Sequence, residues 1–339
     1  MTEKTLGIGL VGAGRIGRLH AEHLRLRLRG VELRMVSDVQ AAAARSCAEE
    51  FGIPTHGTDY REILARRDID AVVVCSSTDT HTEIIEAAAA AGRHVFCEKP
   101  IDTDLARIDR AVAAVRRAGV ILQVGFNRRF DPNFRRVREA VVAGEIGTPH
   151  QVHIISRDPA PPPAEYVRRS GGMFMDMSIH DFDMAQYLVG DRIEEVYAVG
   201  GVRVDPAIGE AGDIDTATVL LRFAGGVVAT IENCRQAAYG YDQRVEVFGS
   251  RGMVRVDNNY PNTAILSGAE GVRRDLPLNF FMQRYVESYL EEMRAFLEAI
   301  RRGGGSPVSG EDGRVPVVVA MAALKSLQAR RPVALSEVG

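Results

Sequence analysis

The segment Gly171 to Asp183, Gly-Gly-Met-Phe-Met-Asp-Met-Ser-Ile-His-Asp-Phe-Asp, is the densest set of polar groups in the second half of the chain. Asp176 precedes His180 by four positions. On a helix that sets a carboxylate one turn from an imidazole, on the same face. Asp183 follows His180 by three and extends that face. A histidine that takes a proton from an alcohol needs a near-neutral pKa and a partner that fixes its tautomer, and Asp176 suits both needs. The plain alternative is a capped helix start with a satisfied histidine at a domain interface. Two flanking carboxylates and a Gly-Gly entry favour the chemical reading.

A second group lies near the N-terminus. Gly12-Ala13-Gly14-Arg15-Ile16-Gly17 follows a short apolar run and opens a helical pattern. Such a loop suits a dinucleotide: Gly12 permits a tight turn, Gly14 lets a pyrophosphate approach the backbone, and Gly17 lets helix and strand pack closely. The helix N-terminus then offers N–H groups to the phosphates. Asp38 ends the next strand-like run, 21 residues past Gly17. A carboxylate there accepts hydrogen bonds from the adenosine ribose and repels a 2′-phosphate, and Val39 beside it offers that phosphate nothing. The expected cofactor is therefore NAD.

Two further segments belong to the same cleft if the sheet is doubly wound. Ser76-Ser77-Thr78 follows the apolar run Ala71–Cys75, and His81, three positions past Thr78, is placed with them at the cofactor. Glu98-Lys99-Pro100 follows the run ending at Cys97. The proline restricts Lys99 to an extended backbone, so its ammonium can be aimed into the cleft. No metal site is expected, because Cys47, Cys75, Cys97 and Cys234 are not spaced as metal knuckles.

The elements that must position these groups alternate at first. Strands are expected at Leu6–Val11, Leu33–Ser37, Ala71–Cys75, His94–Cys97 and Ile121–Gly125. Helices are expected between them at 15–28, 41–51, 60–65, 82–91 and 105–118. That alternation predicts a parallel sheet with right-handed crossovers. After residue 126 the pattern changes. A helix over 134–143, a strand over 150–156, a Pro-rich loop over 158–163 and a helix over 181–188 lead into strands at 195–204, 217–223, 227–234, 244–248 and 253–256. Gly225-Gly226 and Gly249–Gly252 read as hairpin turns. Helices are expected over 285–300 and 316–327. The fold class is thus a doubly wound Rossmann domain over 1–126, joined to a domain over 127–339 built on an open, mostly antiparallel sheet. A C-terminal helix is expected to pack back on the first domain, with the site between the halves.

The 339 residues carry 42 Lys plus Arg against 45 Asp plus Glu, a net charge of −3, with 46% apolar and 26% charged residues. That balance excludes a broad nucleic-acid footprint. The longest apolar stretch, Val315–Leu324, is short of the about 20 residues that a membrane helix needs. The N-terminus lacks the pattern of a signal peptide, and the cysteines suit a reducing cytoplasm.

These motifs, taken together, resemble the sugar and polyol dehydrogenase family named for glucose–fructose oxidoreductase, inositol dehydrogenase and rhizopine catabolism. The resemblance spans essentially the whole chain and rests on Gly12–Gly17, Glu98-Lys99-Pro100 and Asp176-x-x-x-His180. Gly125–Asp131, Ser156–Pro159, Asp176–Asp183 and Tyr239–Asp242 point to its inositol-oxidising members. One departure is Ser77, where many relatives carry proline. The resemblance implies that Lys99, Asp176 and His180 are the catalytic trio and that Arg128, Asp158, Asp183 and Tyr241 lie near the polyol. It implies oxidation of myo-inositol at the 2-hydroxyl. The alternatives are scyllo-inositol or a pyranose as substrate, or a non-catalytic dinucleotide sensor. An antiparallel sheet with one uncovered face also predicts a homo-oligomer, a dimer or tetramer.

Overall fold

Leu6–Val11 (β1) and Ala71–Val74 (β4) are buried at every position, as strands covered on both faces must be. They lie side by side and parallel, with Val31–Ser37 (β2) on the other flank of β1. Thr55–Gly57 (β3), His94–Glu98 (β5) and Leu122–Gly125 (β6) complete a six-stranded parallel sheet in the order β3-β2-β1-β4-β5-β6. This is the doubly wound order, in which the succession of strands reverses between β1 and β4. The three-residue β3 has too little apolar character to be legible in the sequence.

The computed structural model of the chain describes residues 4–339. They form two units. The first runs to Asn127 and also takes in Tyr289–Val315; the second comprises Arg128–Ser288 and Pro316–Gly339. The division falls beside the boundary expected near 126, and Tyr289–Val315 returns to the first unit. The reason is apolar: Met293, Phe296 and Leu297 join Leu10, Leu33 and Phe96 in one core. Gln123 fixes the same helix by donating to the Glu292 carbonyl at 2.7 Å.

Several helices differ from expectation; the one expected over 82–91 already begins at Thr78. The first begins as Arg15–Glu22 but widens into a π-helical turn over His23–Arg27. The last runs Gly310–Ala329, six residues ahead of Pro316, which lies inside it. Proline is favoured in the first turn of a helix, so the pattern suggested a start there. The cap that starts this helix is Ser309, whose hydroxyl accepts from Asp312 N while the Asp312 carboxylate accepts from Ser309 N.

The second unit holds a seven-stranded sheet. Its strands are Pro149–Arg157 (β7), Ile193–Gly201 (β8), Thr216–Phe223 (β9), Val228–Cys234 (β10), Asp242–Gly249 (β11), Gly252–Val256 (β12) and the short Val333–Ala334. Only β7 and β10 pair in parallel; the other pairs are antiparallel. Ala217, Val219, Leu221 and Phe223 of β9 are buried and alternate with exposed residues, so one face is covered and the other open. An exposed hairpin, Ile265–Gly268 with Gly271–Arg274, lies outside this sheet and was not expected. No helix among the described residues is long and apolar enough to cross a membrane.

Candidate active site

In the first unit the site starts as backbone. Gly12 has φ +95°, and a Cβ there would meet the Cys75 carbonyl oxygen at 2.4 Å. A Cβ on Gly17 would meet the Gly12 carbonyl oxygen at 2.0 Å. Gly14, at the N-cap of the helix Arg15–Glu22, has nothing within 4 Å of where its Cβ would point. Two glycines thus close the turn against β4, and the third leaves an open approach to helical N–H groups. Asp38 holds the turn, accepting from Ala13 N at 2.7 Å and from Gln40 N at 2.8 Å. Its oxygens retain lone pairs for ribose hydroxyls. This donor set fits a dinucleotide.

Beside the turn, the Ser76 hydroxyl lies 2.7 Å from the Thr80 hydroxyl, which also donates to the Ser77 carbonyl, and Thr78 opens the helix Thr78–Ala90. His81, expected at the cofactor, stands behind this loop at the Ser76 carbonyl. Its ring is buried, with Nδ1 2.9 Å from the Pro100 carbonyl and Nε2 3.0 Å from the Ser76 carbonyl. It braces two loops from behind, and burial holds its pKa below the ordinary value. Glu98 likewise turns inward, its Oε1 2.8 Å from His20 Nε2. Lys99 follows at the end of β5, joined to Pro100 by a cis peptide bond.

In the second unit the site is built from side chains. The register aligns Asn233, Ser156 and Gln243 across β10, β7 and β11, and all three are buried. Ser156 donates to Gln243 Oε1 at 3.0 Å. Over this polar row lies Arg128, 5% exposed, donating to Asp181 Oδ1 at 2.6 Å and reaching Ser156 Oγ and the Tyr241 hydroxyl, each at 3.4 Å. The second Asp181 oxygen accepts from Asn233 Nδ2 at 2.7 Å, and Asn233 in turn accepts from Ser178 at 2.6 Å. Burial pushes the Asp181 carboxyl up, and the Arg128 charge opposes that. Burial also lifts the Tyr241 phenol well above its usual range.

A second group stands at the same strand ends. Arg235, just past β10, donates to Asp176 Oδ2 at 3.0 Å and pairs with Asp158 Oδ2 at 3.6 Å. The Tyr166 hydroxyl donates to Asp176 Oδ1 at 2.8 Å. Asp158 is pushed up to about 6, first by burial and then by the nearby Asp176 charge, with Arg235 pulling it down. Asp176 lies in a π-helical turn, Phe174–Ser178, and His180 in the helix Ile179–Val189 that continues it. The turn that carries Asp176 is therefore wider than the α-helical spacing expected, a feature frequent at functional sites.

The structure brings Asp158 and Asp176 onto one guanidinium and places Arg128 with Tyr241. Asp183 is closed elsewhere: Arg129 Nε donates to both its oxygens at 3.0 Å, and Arg129 Nη2 to Oδ1 at 2.6 Å. Sequence reasoning missed Asp181, Arg235 and Tyr166. Asp181 and Asp183 are both aspartates of one helix, and only the tertiary fold decides which faces Arg128. Arg235 carried one signal, a lone cation at a strand end.

Residues 6–126 match the family described as an oxidoreductase family with an NAD-binding Rossmann fold, and residues 134–255 match its GFO/IDH/MocA C-terminal domain. The chain is similar to a myo-inositol 2-dehydrogenase of Thermotoga maritima, at 49% identity over 98% of this chain and 99% of that one. It is similar to an inositol 2-dehydrogenase of Rhizobium meliloti at 44% identity, over 98% of this chain and 100% of that one. Among solved structures, scyllo-inositol dehydrogenase from Lactobacillus casei, with bound NAD(H) and scyllo-inositol, superposes with a TM-score of 0.93. It is 31% identical over 98% of this chain and 100% of that one.

Proposed function

Because the chain belongs to the GFO/IDH/MocA oxidoreductase family, we propose that it converts myo-inositol and NAD⁺ into 2-keto-myo-inositol, NADH and a proton. It is an NAD-dependent dehydrogenase. The observation that carries the substrate reading is the convergence of Asp158, Asp176 and Arg235 at the strand ends that also present Arg128 and Tyr241. Carboxylates, a guanidinium and a phenol suit a ring of hydroxyls, whereas an apolar pocket would not.

Bound NAD⁺ supplies the hydride acceptor at nicotinamide C4. Gly12, Gly14, Arg15, Ile16 and Gly17 form the phosphate turn, Ser76, Ser77 and Thr78 the loop beside it, and Asp38 takes the ribose and disfavours a 2′-phosphate. His180 takes the hydroxyl proton as general base. Asp176 orients its ring and offsets the positive charge. Lys99 donates to the same oxygen as alkoxide charge develops. Asp158 and Tyr241 receive ring hydroxyls, and Arg128 and Asp183, each held in an ion pair, keep that shell in place.

A second substrate reading, scyllo-inositol, is favoured by the Lactobacillus casei likeness. The partner is a second copy of the chain, as dimer or tetramer. On the open sheet face Tyr197 is paired with Leu220, and Phe248 with Met253, and all four are exposed. All four cysteines are free, which suits a reducing cytoplasm.

The test is NADH formation from inositol isomers and aldoses, with NAD⁺ and NADP⁺ in parallel. Turnover of myo-inositol above the other polyols is expected, with NAD⁺ preferred. Activity on none of them would favour a dinucleotide sensor. Light scattering of the same preparation reads the oligomer.

A further inference from the structure

Inside the first unit, three titratable side chains meet with no role in the reaction described above. His20 from the helix Arg15–Glu22 and Glu292 from the C-terminal part are both fully buried, and Glu98 ends β5. One nitrogen or oxygen from each lies within 4.8 Å of the others. His20 Nε2 and Glu98 Oε1 are 2.8 Å apart. Neither Glu292 oxygen has a hydrogen-bond partner among the described residues. The surroundings are apolar: the His20 ring packs edge-on against Phe96, which packs in the same way on Phe296. Opposite Glu98 in the register stands Gly125, where an added Cβ would come 3.0 Å from Glu98 Oε2. The Glu98 side chain is therefore cradled.

Two neighbouring carboxylates in such a place do not both stay ionised. Burial first, and the Glu98 charge second, push the Glu292 carboxyl well up, so it holds its proton. The other titratable groups of the cluster are His20, whose ring also lies edge-on to Tyr289, Cys75 past the end of β4 near Glu292, and Cys97 beside Glu98 on β5, with His23 one turn beyond His20. Burial raises both thiols and lowers His23, so these three are neutral. A divalent cation would also balance two carboxylates. However, the 2.8 Å separation of imidazole and carboxylate is that of a direct hydrogen bond.

We propose that Glu292 is a positioning residue for Lys99: buried within 4.8 Å of both Glu98 and His20, it packs with His20 against the strand end from which Lys99 projects. This rests on the reading that Lys99 acts in the reaction. The fold holds Glu98 from two directions, and its next residue is the lysine.

The experiment compares E292Q, E292A and K99M with the wild type. E292Q keeps a donor of the same size and should retain kcat within about threefold. E292A should lose on the order of tenfold to 100-fold in kcat, the scale of a small misplacement, with KM for NAD⁺ little changed. A carboxyl whose pKa is raised in the folded state contributes stability that is lost as pH rises above its ordinary value. The Tm of E292Q relative to wild type should therefore climb as pH rises above the ordinary carboxylate range, since glutamine cannot ionise. This slope holds even if E292A does not fold. A flat Tm difference above that range, or E292Q as slow as E292A, overturns the proposal. So does stoichiometric divalent metal in the purified protein with a Tm that falls in EDTA. K99M turning over like wild type would remove the reading of Lys99 while leaving the pH slope of E292Q to stand or fall separately.

Discussion

The Gly12–Gly17 turn and the polar row through Ser156 make opposite kinds of site. The turn is backbone. Six consecutive residues and one carboxylate from the next strand define it, and its demands are steric, a positive φ at Gly12 and no room for a Cβ at Gly12 or Gly17. The row is side chains. Arg128 finds its partners 53 positions away at Asp181 and 113 positions away at Tyr241. A backbone site tolerates wide variation in what surrounds it but not a methyl group in the turn. A side-chain site tolerates changes of shape but not loss of one member of a buried charged pair.

Four substitutions would break or sharpen that contrast. The largest effect is expected at His180, which belongs to neither construction principle but to the chemistry between them. His180→Ala should lower turnover by about 10²–10⁴-fold, the usual contribution of a positioned general base, with NADH binding retained in a fluorescence titration. Near wild-type turnover would remove histidine from the mechanism. Next is Asp181→Ala, which leaves Arg128 buried and without its countercharge. A loss of about 3–5 kcal/mol in a denaturant melt is expected, with NADH affinity unchanged in the folded fraction. A loss below about 1 kcal/mol would mean the row is not the keystone of its unit.

Gly12→Ala should act in the reverse sense. The strained backbone and the clash with Cys75 cost about 1–3 kcal/mol, and the dinucleotide affinity should fall more than the polyol affinity. Equal losses for both ligands would contradict the division of labour. The smallest effect is expected from Asp158→Asn. The Asp158 carboxyl is pushed up to about 6 in the folded state, so its stability contribution is lost as pH rises from its ordinary value through about 6. The variant should therefore gain on wild type in Tm over about pH 4 to about pH 7, and a constant difference across that window would rule the shift out.

Local pattern carried the first unit far. The uninterrupted apolar run at Ala71 reads as a doubly covered strand, and the helices over 41–51, 60–65 and 105–118 end where the sequence puts them. Each depends on neighbours within a few positions: Asp104 capping its own helix, Gly52 and Gly119 ending theirs in the left-handed conformation. The failures share a cause. Thr55–Gly57 is a strand because β2 offers it an edge, and Pro316 sits inside a helix because Ser309 and Asp312 cap that helix six residues earlier. Tyr289–Val315, where a returning C-terminal helix is expected, joins the first unit because Met293 and Phe296 find its core. His81 reads as a ligand group by its place after Ser76–Thr78, and becomes a brace because two carbonyls close on its ring.

The amino-acid sequence determined the Gly12–Gly17 turn, the carboxylate of Asp38 that ends the second strand, the succession of strands and helices and the spacing of Asp176 and His180. All of these are interactions between residues close along the chain, or demands of a single backbone conformation. Only the tertiary structure decided that Arg128 pairs with Asp181 and not Asp183, that Arg235 gathers Asp158 and Asp176, and that Glu292 lies buried beside Glu98. Those choices pair charges across strands and helices far apart in the chain. Their energy depends on which groups lose water together, and no local pattern records that.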